Sequence, residues 1–210
     1  ALGILHFWKP GSLISVDSLL NLMVAEKDLT ASDLLLSLLP QEQLWALGQK
    51  LRPFLSYREY FLLSKLPKEK LQGGSEAITN LLPSLSGRLS STDTALDRPD
   101  LVKHVGWFAS TRELCGSALL AKEEILSRNT RLNGEYKSIQ PKEIEQLGIV
   151  QSRDSGISQL TMIFQSKGEK SWRCLALTAN HSEEVEEGFF SALAVRLTNL
   201  LVPPPKKESP

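Results

Sequence analysis

The chain lacks most of what marks a specialised protein. Its 210 residues include two cysteines, three histidines and two methionines, and its 24 basic residues are balanced by 24 acidic ones. A nucleic-acid binder draws most of its affinity from phosphate neutralisation. That term is missing here, since the only paired cations are Lys206-Lys207 near the end. No apolar stretch reaches the ~20 residues of a membrane span; the longest, Leu34 to Leu39, is broken by Ser37. A basic leader with a small-residue cleavage site is missing from the start, as is an initiator Met, so we expect a processed protein or an excerpt of a longer one.

Chemical motifs are equally scarce. His6, His104 and His181 stand far from one another and outside metal-ligand spacing of either cysteine, so no metal is expected. Gly73-Gly74 is followed by neither a Gly-Lys-Ser/Thr ending nor dinucleotide-fold spacing, so no nucleotide cofactor is expected. A Gly-x-Ser-x-Gly elbow is also missing. The acidic run Glu183 to Glu187 reads as a solvated helix start rather than a catalytic carboxylate pair. Cys115 and Cys174 each sit in an apolar stretch and read as buried free thiols of a reducing compartment, with a single bridge as the alternative. These readings point to a non-enzymatic protein of the cytoplasm or nucleus.

What the chain does contain is ordinary globular material, 41% hydrophobic and 23% charged. Residues 1–67 read as a leucine-rich helical region. A first helix is capped by Ser15 or Asp17 and carries Val16, Leu19, Leu20, Met23 and Val24. A second runs from Ala31 to Leu39, started by Thr30 with Asp33 and stopped by Pro40. A third spans Gln41 to Leu51, and a fourth Tyr57 to Leu66. Read as a helix-turn-helix, this tandem has a candidate recognition helix, Gln41 to Arg52, that offers only Lys50 and Arg52 as cations, too few to hold phosphates. Residues 68–99, rich in Gly, Ser and Thr, read as a polar linker in which Leu81, Leu82 and Leu85 allow a short docked helix. Ser90 with Asp93, and Thr94 with Asp97, have the spacing of an acid-directed phosphorylation site.

Residues 100–202 read as an α+β domain, and 203–210 as a disordered tail. Leu101 to Arg128 is a long helix with a break expected near Ser110-Thr111. A strand is expected over Tyr136 to Ile139, a short helix over Pro141 to Leu147, and a strand over Ile149 to Ser152. A hairpin joins Ile157–Phe164 to Trp172–Thr178 through a turn at Lys167-Gly168. A last helix from Asn180 or Ser182 carries Val185, Phe189, Leu193, Leu197 and Leu201 onto the sheet. The expected fold class is thus α+β: an N-terminal helical bundle, then a small mostly antiparallel sheet covered by a C-terminal amphipathic helix. The element order over Leu101 to Val202 is similar to that of GAF-like and longin-like modules, a resemblance that implies a sensory or adaptor role and assigns no residue a function.

Three functional expectations follow. The first is an interaction subunit or adaptor that binds another protein, with Phe7, Trp8 and Trp45 as anchors, since large aromatics dominate interface energetics. Against it stands the packing of Leu2, Ile4, Phe7 and Trp8 onto the chain's own core. The second is a small-molecule-sensing domain whose pocket is lined by Met162, Phe164, Trp172, Cys174 and Phe189. An enzyme of unrecognised type is the third, and it would require titratable groups gathered in a cleft.

Overall fold

The computed structural model describes residues 3–40, 42–43, 55–85, 109–128, 142–154, 156–181 and 186–202. The chain divides into two compact units, 1–109 and 110–210. The class is α+β: helices in the first unit, and a three-stranded antiparallel sheet packed by helices in the second.

In the N-terminal unit, a 3-10 turn over Leu5–Phe7 precedes α1 (Val16–Ala25), α2 (Leu29–Leu38), α3 (Tyr57–Ser64) and α4 (Gly74–Leu81). The starts of α1, α2 and α3 follow from side-chain acceptors. The Ser15 hydroxyl accepts from the Ser18 N–H, and Ser56 with Glu59 closes a full capping box on α3. The second helix begins earlier than the sequence suggests. Asp28 caps it, rather than Thr30, because the Asp28 carboxylate accepts from the Ala31 N–H at 3.0 Å. Asp33, expected to act within that first turn, instead reaches across to α3, accepting from the N–H groups of Tyr57 (2.5 Å) and Arg58 (2.9 Å). Desolvation raises the Asp33 pKa, the two backbone donors oppose this, and nearby Glu59 adds to the rise.

Two apolar clusters hold this unit. Leu5, Leu19 and Ala31 form one, with Ile14, Leu22, Met23 and Leu35 around them. Leu55, Leu63, Leu71 and Ile78 form the other. Part of the stretch expected as a polar linker therefore folds: Leu71 and Ile78 are fully buried, and α4 lies between two 3-10 turns at Lys68–Leu71 and Leu82–Ser84. The Gln41–Leu51 helix, apart from Glu42 and Gln43, and the Ser90 and Thr94 segment lie outside the described residues.

The C-terminal unit opens with α5 (Thr111–Leu120) and α6 (Lys122–Arg128). Ser110 and Glu113 form a capping box that starts α5; residues 101–108, the first part of the expected long helix, lie outside the described residues, and the described part is interrupted at Ala121. Strands β1 (Ile144–Asp154), β2 (Ile157–Ser166) and β3 (Trp172–Asn180) pair in sequence order. Gly156 and Gly168 take positive φ in the two hairpin turns, a conformation that glycine adopts without strain. The final helix is α7 (Glu187–Leu201).

Period-two alternation assigns each strand residue to a face. Leu147, Ile149, Leu160, Met162, Phe164, Leu175 and Leu177 meet Phe190 and Ala194 of α7. Ile163 and Cys174, paired across β2 and β3, meet Ala118 of α5 and Ile125 of α6 on the opposite face. Gly148 belongs there too, since a Cβ on it would lie 3.0 Å from both Ile125 and Ile163.

Several expectations need correction. The helix over Pro141–Leu147 is not formed: β1 runs from Ile144, because Leu147 pairs with Phe164 across a strand neighbour and cross-strand packing outweighs the helix-start signal. A register shift between Ile144 and Gln146 lets Ile144 join the core of Leu147 and Ile149. The last helix starts at Glu187 instead of Asn180 or Ser182, for Asn180 ends β3 opposite Ile157. Its buried row is Phe190, Ala194 and Thr198, one residue on from the expected one, leaving Phe189, Leu193 and Leu201 exposed. Both rows are spaced by four, and the sheet takes the one with smaller residues at 194 and 198, where the helix can approach closely. Finally, Cys115 and Cys174 are not free thiols: they form a disulfide between α5 and β3, with Cα atoms 5.7 Å apart and a separation of 59 positions in sequence. Neither short apolar context foretells that helix and strand meet.

Candidate functional site

The first described residues form a compact, fully wired platform. The Phe7 N–H donates to the Ile4 carbonyl (3.2 Å) and the Trp8 N–H to that of Leu5 (3.0 Å), which closes the 3-10 turn. The chain then reverses through Lys9-Pro10-Gly11-Ser12. Pro10 and positive-φ Gly11 occupy the two central positions, the pattern of a type II turn, and the Ser12 N–H returns to the Lys9 carbonyl at 3.1 Å. Three residues later Ser15 starts α1.

Asp28 anchors this platform. Its carboxylate, fully buried, accepts from the Leu5 N–H through Oδ2 (3.0 Å) and from the Ala31 N–H through Oδ1 (3.0 Å). One side chain thus caps two elements 23 residues apart in sequence at its longer reach. Lys27 turns the chain into this position at φ 53°, the only positive φ among described residues other than glycine. Gly3 fits against the carboxylate because it has no Cβ: an added one would fall 2.1 Å from the Asp28 carboxyl carbon.

The platform sends one apolar side chain inward and several outward. Leu5 is buried with Leu19 and Ala31. Phe7 is 76% exposed, Trp8 46% and Leu13 97%, with Ile4 and Val16 also open. This corrects the expectation that Ile4, Phe7 and Trp8 pack onto the chain's own core, because turn geometry lets only Leu5 face it. The His6 ring meets Phe7 edge to face, 5.6 Å between centroids. Trp45, the third expected anchor, lies outside the described residues, as does Leu2.

The residues expected to line a pocket do not converge. Met162 and Phe164 are buried in the core beneath α7, Trp172 and Cys174 belong to the opposite face of the sheet, and Phe189 is 67% exposed. Strand alternation puts the two pairs on opposite faces of the sheet. His181, expected beside a helix cap, follows β3 and donates its backbone N–H to the Gly156 carbonyl at 2.7 Å. Among the described residues no group of three or more His, Cys, Asp or Glu side chains could hold a metal, and no helix is long and apolar enough to cross a membrane.

No protein-family model matches the chain. No curated protein matches it either.

Proposed function

We propose that the protein is a non-enzymatic interaction subunit that docks to another protein through the aromatic turn at Phe7 and Trp8. One observation carries this reading: two large aromatics lie exposed on a turn whose backbone is tied to a buried carboxylate. Exposed single apolar residues are normal on any surface. Here the turn does not depend on the rings for its shape, since the buried Asp28 side chain accepts from the Leu5 N–H and Leu5 itself sits in the core. A rigid aromatic anchor loses little entropy on binding, which suits a docking site. The cytoplasmic or nuclear setting rested on free thiols, and with both cysteines paired that ground is gone. An interaction role holds in either kind of compartment.

The test is site-specific photo-cross-linking in source cells from a benzophenone side chain in place of exposed Lys9, beside the two rings, with one in place of exposed Lys70, on another element, as the control. A discrete adduct of constant mass, lost in F7S/W8S, is expected. A smear common to both positions, with the chain monomeric in solution, would overturn the reading.

A further inference from the structure

We propose that the Cys115–Cys174 bond is a redox-operated latch that holds α5 on the sheet. The bond is the only cross-link between the described helices and strands, and it joins α5 to β3 where the apolar layer is thin. Among its ten residues only Ala118 is buried. Leu114 and Leu119 are half-buried, Gly116 and Ser117 are exposed, and Leu120 is 91% exposed. The neighbouring helices differ. The shorter α6 seats Ile125 against Gly148 and Ile163, and α7 seats Phe190 in the main core. Ala118 with half-buried Leu119 gives α5 a modest gain from the hydrophobic effect, so the cross-link supplies a large share of its docking.

Both cysteines are half-buried, which leaves the bond open to an attacking thiolate. The reductant is a dithiol. One of its thiolates attacks one sulfur of the bond, giving a mixed disulfide and releasing the other cysteine as a thiolate. The second thiol of the reductant, deprotonated, then displaces the remaining cysteine. Two electrons and two protons pass to Cys115 and Cys174, and the dithiol leaves as a disulfide. Unlatched, α5 lifts away and uncovers the apolar patch it shares with Ile163 and Trp172.

Hydrogen exchange of the full chain, read by mass spectrometry before and after dithiothreitol, tests this. The rate over 114–120 relative to that over β2 residues 160–164 rises at least tenfold on reduction and recovers on reoxidation, and C115A/C174A shows the raised ratio without any reductant. Equal acceleration of both segments would make the bond a staple of the whole unit and overturn the latch. An unchanged ratio, or two alkylatable thiols in the natively purified oxidised chain, would overturn it as well.

Discussion

The N-terminal unit closes its helices with polar acceptors, and the C-terminal unit closes its sheet with apolar layers and a covalent bond. In the first, Asp28, Asp33, Ser15 and Ser56 each satisfy backbone donors at a helix start, and the two apolar clusters are small. In the second, Leu147, Ile149, Leu160, Met162, Phe164 and Phe190 form one continuous core, and the other face is thinner and carries the disulfide. The difference shows where surface is free to act. A unit whose geometry is set by directional hydrogen bonds can hold Phe7 and Trp8 outward, because their burial is not what holds the turn. A unit held by side-chain burial has most of its aromatic and aliphatic residues committed to the core, apart from Leu120, Val150 and the outer side of α7.

The contrast can be broken from either side. The largest effect belongs to the disulfide. Closing a loop of 59 residues restrains the unfolded chain by about 4 kcal/mol in the chain-entropy account, so C115A/C174A lowers the unfolding midpoint of the C-terminal unit by roughly 15 °C, read by calorimetry. An unaltered midpoint would remove the covalent half of the comparison. Next comes Asp28→Ala, which strands the buried N–H groups of Leu5 and Ala31. It costs about 3 kcal/mol in chemical denaturation of the N-terminal unit, and a loss below ~1 kcal/mol would mean that water or another group satisfies those donors.

Gly148→Val probes the thin face. Its Cβ would crowd Ile125 and Ile163 at 3.0 Å, and we expect about 2 kcal/mol of destabilisation from overpacking. The smallest effect is the pH response of Asp33. Its pKa is raised in the fold, so the folded chain holds this proton more tightly than the unfolded one. Its contribution is therefore fully present below the usual carboxylate value and is lost as pH rises through the folded value. Measured against Asp33→Asn, which does not titrate, the wild type gains relative stability as pH falls through that window. The opposite trend would mean that the Tyr57 and Arg58 donors outweigh desolvation.

The parts legible in sequence are those encoded locally. Helices α1 and α3, the start of α5 at Ser110 and the hairpin with its glycine turn all follow from caps, periodicity and turn residues within a few positions. The misread parts depend on contacts distant in sequence. Asp33 looks like a cap for its own helix and serves another. Residues 144–147 carry a helix-start signal, but β2 recruits them. In α7 two apolar rows run side by side, and only the sheet decides between them. The disulfide needed a helix laid across a strand. The aromatics at 7 and 8 were visible as candidates, but the signal that they face outward lay in Asp28, whose role as a clamp for Leu5 has no mark in the sequence around it.

The most direct test of a turn built for display is the stability of F7S/W8S. If Phe7 and Trp8 contribute nothing to the core, chemical denaturation gives a free energy within ~0.5 kcal/mol of wild type, as for surface substitutions generally, while the cross-linked adduct disappears. A loss of about 3 kcal/mol or more, the cost of emptying a packed aromatic site, would show that the fold itself uses these rings and would contradict the account.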